Sequence, residues 1–456
     1  MRLFGWRSLV VSSLLFGMVA TAETRPQYGG TLHVATRIAP ASFDPADNSQ
    51  PDSVAYRNLS RLMFDTLVIM DYRGHLQPAL ATSWQAAPGS QRWQFWLRRG
   101  VKFHDGLPLT PEAAAASLRV ANPGWNVSAA VDSVVIEREA AAPDLPAELA
   151  RARNGIAKRG AGGSVIGTGA FRVADWQPGK KLRLSADEEY WGGRAFLDAI
   201  EVEMGRSTRD QLIALELGKT DVAEVATEQA QRTTGNGRRV VTSAPVELMA
   251  LVFSRDKQSS EEAKQRDALA LSIDRASIRS VVLQGVGEPS GALLPNWVTG
   301  YAFVFSSDQN LGRARQERSE IQHARAWTLG YDAGDPLARV IAERIALNAR
   351  DTGISVQTTM SANTDLRLTR LVLASANPCI ALPAVAAAAG VGATNLNSSS
   401  IDELYQAENA ILQTQRLVPL FQLPAGFALS SALQDWSQDR DGAWHMDDVW
   451  LGSTRP

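Results

Sequence analysis

His104 and Asp105 stand side by side in "GVKFHDGLPLT" (Gly100–Thr110). Such a pair can polarise a nucleophile or share a metal ion when the backbone aims both side chains at one point. The flanking residues argue against that use. Trp93, Phe95 and Leu97 alternate with polar neighbours as a half-buried strand requires, and Val101 and Phe103 resume the alternation after Gly100. Asp105-Gly106 is a turn dipeptide. Thr110-Pro111-Glu112 then supplies an N-cap, a proline at the first helical position and an acid in the first turn. The stretch therefore predicts strand, turn and capped helix, with His104 a scaffold residue. A ligand contact at His104 stays open, because turns also carry binding groups.

Other arrangements that could do chemistry fall away on spacing. His33, His75, His104, His323 and His445 form no pair at i, i+3 or i+4, so no metal site is expected. "GAGGSVIGTGAF" (Gly160–Phe171) places Gly162 and Gly167 as a phosphate loop would, but Thr168-Gly169 stands where Lys-Ser/Thr is needed. Val165 likewise breaks the dinucleotide pattern, and the tract reads as a crossover between domains. Cys379 follows Asn377-Pro378 with no histidine nearby, and no G-x-S-x-G elbow occurs. The acid pairs Asp447-Asp448 and Glu188-Glu189 are adjacent, so in a strand they point to opposite faces. No catalytic set and no cofactor is expected. The tryptophans, 12 in all, are the more suggestive inventory, because indole offers large contact area and one donor to a recognition cleft.

The elements that must position any site alternate between helix and strand through both halves. Thr31–Ala39 opens with a strand, Val54, Leu59, Leu62, Met63 and Leu67 have helical spacing before a strand around Leu67–Met70, and Phe171–Leu184 is a hairpin about Pro178-Gly179. Thr208–Leu217 is a helix closed by Gly218, and Val246–Ser254 is a strand buried on both faces. Ile401–Gln415 is a further helix, and Arg416–Leu429 returns as an apolar strand broken by prolines. This pattern is α/β with mixed sheets, and 456 residues allow two or three domains. With 45% apolar and 21% charged residues and a net charge of −2, a globular fold is expected and nucleic acid is not a partner. Arg2 and Arg7, the apolar run Leu9–Val19 and the small residues Ala20-Thr21-Ala22 give a cleaved export signal over residues 1–22. The single cysteine is far from that cleavage point, so neither a lipid anchor nor an internal disulfide is expected. No later segment is apolar enough for stable membrane insertion.

Several segments, in order, resemble the extracytoplasmic solute-binding proteins of ABC importers, in the family of peptide-, dipeptide- and nickel-binding proteins (solute-binding protein family 5). They are "YGGTLHVA", "SFDPA", "LMFDTLVIMDYRGHLQPALATSW", "WQFWLRRGVKFHDGLPLTPEAAAASL", "GTGAFRVADWQPGKKLRLSADEEYWGG", "LDAIEVEMGRSTRDQLIALELGKTDVAEV" and "ALALSIDRASIRSVVLQGVGEPSGALLP". The resemblance implies a two-lobed periplasmic-binding-protein fold (type II-like) with an extra domain in the first lobe. Residues 23–50, 165–245 and 425–456 would form lobe I, residues 51–164 a shortened inserted domain II, and residues 246–424 lobe III. It also implies a soluble, monomeric periplasmic protein that captures a peptide or similar polar solute between its lobes and delivers it to membrane permease subunits. The contacts expected are Pro40, Ser42 and Phe43 after the first strand, Gly167 and Thr168 in the crossover, Met249 in the interlobe strand, and Asn377. Ser42 and Thr168 would hydrogen-bond, Phe43 would stack, and Asn377 would stand where peptide binders of the family carry an acid. The alternative is a binding fold that has left transport and serves as a periplasmic chaperone or sensor partner; an enzyme ranks behind both.

Overall fold

Gly100–Thr110 forms the predicted turn and leads into the predicted capped helix, but the strand expected at Val101 and Phe103 is reduced to an isolated bridge between Lys102 and Pro108; the stretch also ties distant chain together. Strand Arg92–Leu97 precedes it, and the Thr110 hydroxyl accepts the Ala113 N–H at 3.2 Å to open helix Pro111–Ala121. His104 donates its backbone N–H to the Gly167 carbonyl at 3.0 Å, and its Nε2 meets the Gly169 carbonyl at 2.8 Å. Burial holds the imidazole below its usual pKa, so the neutral ring serves as a clip. The computed structural model describes residues 25–50, 52–71, 73–160, 164–226, 229–235, 238–392, 396 and 400–452. The predicted export signal and residues 161–163 of the glycine tract lie outside these.

Strand Arg92–Leu97 belongs to a four-stranded antiparallel sheet, ordered Ala81–Ala86, Arg92–Leu97, Ser133–Glu137, Asn126–Ala129. Its inner face carries Phe95, Val134 and Ile136. Together with Leu118 from helix Pro111–Ala121 they make a core that draws almost all its residues from Leu67 to Ile166. That core is what makes the middle of the first half a separate packing unit.

The main sheet joins everything else. Its order is Phe171–Gln177, Lys181–Ala186, Ala199–Glu203, Thr31–Ala35, Val222–Val225, Leu417–Leu429, Arg239–Phe253, Leu366–Val372, Trp327–Gly330 and Val356–Thr359, with Glu288–Pro289 paired to Leu417–Leu429. The strands near each end come from different halves of the sequence. Only the two long central strands, Arg239–Phe253 and Leu417–Leu429, pass between them. They run antiparallel, with register breaks between Thr242 and Glu247 and between Met249 and Ala250. Alternation puts Leu248 and Ala250 in one core and Met249 and Leu251 in another, so this strand is buried on both faces, as its apolar run predicts. The second core is built on helix Pro336–Arg350 and the strands around Trp327. The first is the larger, and it extends from the Thr31–Ala35 strand to helices Pro378–Ala388 and Ile401–Gln413. Crossing strands with packed material on either side are the geometry of a hinge between two bodies.

Candidate ligand cleft

Two adjoining cavities open between the middle unit, helix Val54–Met63 and the segment around Ala374–Pro378. The first, of about 250 Å³, is walled by Pro45–Gln50 and Asp52, by helix Val54–Met63, by Ala147–Arg153 of the middle unit and by Ala374–Ala376. The second, of about 360 Å³, shares Met70, Ala376 and Asp441 with it and continues past Asp144, Asn377 and Trp297. Segments more than 300 residues apart in sequence therefore face one another across one space.

Helix Val54–Met63 is the centrepiece. Ser53 caps it, accepting the Tyr56 N–H at 3.1 Å. One side of the helix buries Leu59, Leu62 and Met63, while Tyr56, Arg57, Ser60 and Arg61 turn toward the cavity. Arg57 pairs with Asp52, its Nε donating to Oδ1 at 2.7 Å, and also donates to the Leu373 carbonyl of the opposite wall. Arg61 lies 3.6 Å from Asp441. Asn58, buried, donates to the Gly442 carbonyl at 2.8 Å and accepts the Trp444 N–H at 3.1 Å, which seats the C-terminal segment against the cleft.

Charge is distributed unevenly. The first cavity holds Arg57, Arg61, Arg151 and Arg153 against Asp47, Asp52 and the shared Asp441. Arg151 is matched by Glu148 at 3.0 Å, whereas Arg153 donates only to the Ala121 carbonyl at 3.2 Å and its buried Nε has no partner among the described residues. Burial, and then the neighbouring Arg151 charge, lower the Arg153 pKa, with Glu148 opposing more weakly. The second cavity is richer in acids: Asp71, Asp144, Asp439 and Asp441 face Arg73 and Arg440. The cleft is thus richer in arginine at one end and in aspartate at the other.

The seven residues singled out from sequence take different places. Asn377 lines the second cavity, where its Nδ2 donates to Asp144 at 2.8 Å while its Oδ1 caps helix Pro378–Ala388 through the Cys379 N–H. Beside it, burial pushes the Cys379 thiol up to about 12, with Asp144 adding to the effect. Phe43 and Ser42 back the first cavity: Phe43 stacks on Tyr56 with centroids 5.4 Å apart, and the Ser42 carbonyl accepts the Tyr56 hydroxyl at 3.5 Å. Burial drives that hydroxyl up to about 12, so it remains a donor. Pro40 is buried in the same loop and receives the Gly179 N–H at 3.0 Å. Gly167 passes so close to the Met63 carbonyl that a Cβ would sit 1.9 Å from it. Thr168 is buried and donates to Asp65 at 3.0 Å. Met249 is buried in the second core, away from the other six. Sequence reading missed Arg57, Arg61, Arg151 and Arg153, and the only available signal was the run of arginines in "ELARARNG", which local patterning reads as a solvated helix face.

Among the described residues no group of three or more His, Cys, Asp or Glu side chains converges to hold a metal ion, and no helix is long and apolar enough to cross a membrane. A mixed sheet whose two ends are joined by two long strands, with a cleft bounded by segments from both halves of the chain, defines a two-lobed binding protein. The profile described as "Bacterial extracellular solute-binding proteins, family 5 Middle" matches residues 75–376, and the chain belongs to that family. Among curated relatives it is 23% identical over 299 residues to the oligopeptide-binding protein AppA of Bacillus subtilis, covering 58% of this chain and 53% of AppA. The chain spans about half the length of such relatives in these matches. Among solved structures it is similar to the murein tripeptide binding protein MppA of Escherichia coli, with a TM-score of 0.79 at 17% identity over 93% of this chain and 99% of that one. It is equally similar to NikA from Staphylococcus aureus in complex with Ni(L-His)2, with a TM-score of 0.78 at 18% identity over 92% and 99%.

Proposed function

We propose that this protein is the periplasmic solute-binding component of an ABC importer, and that it takes a short zwitterionic solute, a peptide or a molecule of similar size, into the two-part cleft. The observation that carries this reading is the polarity of the cleft. Arg153 offers a guanidinium without an ion-pair partner at one end, and Asp71, Asp144 and Asp439 gather at the other, with Asp441 between the two. A molecule with a carboxylate and an ammonium group matches both ends at once, and buried charge-assisted hydrogen bonds are the strong ones. On this reading lobe I comprises residues 23–50, 165–245 and 425–456, domain II residues 51–164, and lobe III residues 246–424. The compact core of the middle unit supports that division. Asn377 contacts the solute, Phe43 and Ser42 act through Tyr56, and Pro40, Gly167, Thr168 and Met249 shape the walls and hinge. Capture closes the lobes, and the permease subunits read the closed population.

The reading is tested with protein lacking residues 1–22. Native mass spectrometry of gently purified material, followed by calorimetry with free, N-acetylated and C-amidated peptides of two to four residues, measures it. Free peptides are expected to bind at least tenfold more tightly than either capped form, and Arg153→Ala is expected to remove the preference for a free carboxylate. Binding indifferent to both caps, or no peptide bound at all, would sink it.

A further inference from the structure

A third cavity lies apart from the cleft and shares no lining residue with it. Its volume is about 260 Å³, and it sits between helices Ser260–Ser272 and Ile401–Gln413, over the strand Leu417–Leu429. Gly291 lets the Phe305-Ser306 backbone close one side, since a Cβ there would lie 2.4 Å from the Ser306 carbonyl. Two arginines form its floor. Arg266 is balanced by Glu262 at 2.7 Å, yet its buried Nε has no partner among the described residues. Arg275 is 5% exposed, and among the described residues no carboxylate lies within ion-pair distance of it.

Arg275 is held by carbonyls alone. Its Nε and Nη2 both donate to Pro419, at 3.1 and 2.8 Å, and its Nη1 donates to Ala270 and Ser307 at 3.2 and 3.4 Å. A guanidinium has five N–H donors, so one on Nη2 is left over. Burial lowers its pKa to about 10, with Asp308 opposing from a distance, and the group is still a full cation at neutral pH. A buried cation without a counter-charge is costly, and chains normally supply one. Here a further counter-charge can reach it from solvent through the cavity mouth, where Ser306 and Gln413 are exposed.

We propose that this cavity is a second binding site, for a small organic monocarboxylate that pairs with Arg275. One carboxylate oxygen can accept the remaining Nη2 N–H in a charge-assisted hydrogen bond. Asn409 and Gln413 offer amide donors beside it, and Leu412, Leu417 and Phe305 give an apolar wall for the rest of the molecule. Asp267 stands on the same wall, one of its oxygens taken by Gln415 at 2.6 Å, and its charge disfavours dianions such as phosphate.

The test is titration of the protein lacking residues 1–22 with [13C]propionate, followed by NMR, against phosphate and chloride at matched ionic strength. Propionate is expected to bind in the millimolar range or tighter. Arg275→Gln is expected to weaken it at least tenfold. Because that variant risks unfolding, Ala270→Met provides the second arm: it fills the cavity from the helix and leaves the guanidinium intact. It is expected to abolish propionate binding while peptide binding in the interlobe cleft and the unliganded melting midpoint hold. Equal line shifts with chloride, tighter binding of phosphate, or undiminished binding in Ala270→Met each overturn the proposal.

Discussion

Arg370 and Arg275 both belong to the second half of the chain, and they are treated in opposite ways. Arg370, partly exposed on strand Leu366–Val372, has two carboxylates: its Nε donates to Asp335 at 2.8 Å and its Nη1 reaches Glu247 at 3.2 Å. Arg275 is the more deeply buried of the two and has carbonyls only. Burial pulls both guanidinium pKa values down. For Arg370 the two acids outweigh that pull and the value rises, whereas for Arg275 it falls. Arg370 sits beside the crossing strands and joins the interlobe strand, through Glu247, to the cap of helix Pro336–Arg350, where Asp335 also accepts the Leu337 N–H at 3.0 Å. A charge the chain compensates internally serves mechanics, and one it leaves uncompensated beside a cavity is available to a ligand.

The largest test of this contrast is Arg370→Met. It strands Asp335 and Glu247 as neighbouring acids with little solvent, and breaking such a pair costs about 3 kcal/mol. Urea denaturation should show that loss, and a further Glu247→Gln substitution should recover part of it. Arg275→Met is expected to cost less, about 1–2 kcal/mol, because lost bonds to carbonyls are offset by removal of an unpaired buried charge. Equal losses in the two variants would mean that the carbonyls compensate Arg275 as fully as carboxylates do, and the contrast would collapse.

Why one arginine has acids and the other has none is not visible in the sequence. What is legible there is local. The Thr110 cap, the hairpin Phe171–Ala186 and helix Ile401–Gln413 follow from caps, turn residues and periodicity, and the structure places them within a residue or two of expectation. The interlobe strand is longer than its apolar run, because Arg239–Thr242 find partners in Gly426–Leu429, which no local pattern announces. The cleft was legible as a family property, but its arginines were not: Arg57 acquires meaning only when Leu373, 316 positions away, comes within reach. Asn377 was singled out as a replacement for an acid. The structure shows an acid beside it, Asp144, delivered by a segment whose order the sequence left obscure.

Asp65 is the mirror image of Arg275 and gives the smallest and sharpest test. Its carboxylate accepts from Thr168 and Tyr190 at 3.0 Å each and from Trp191 at 2.8 Å, with no cation paired to it among the described residues. Burial pushes it up to about 6, and the three donors only partly resist. In the unfolded chain the group titrates near 4. Between about pH 4 and 6 the folded protein therefore retains a proton that the unfolded chain has lost. The stabilisation from this site is complete below pH 4 and disappears as pH rises through 6. Asp65→Asn cannot titrate, so the stability of wild type minus that of the variant should fall on the order of 1–2 kcal/mol between pH 4 and 7, read from urea midpoints. A difference that stays flat would show that three neutral donors suffice to solvate a buried charge. The carbonyls around Arg275 would then need no anion either, which links this small measurement to the larger ones.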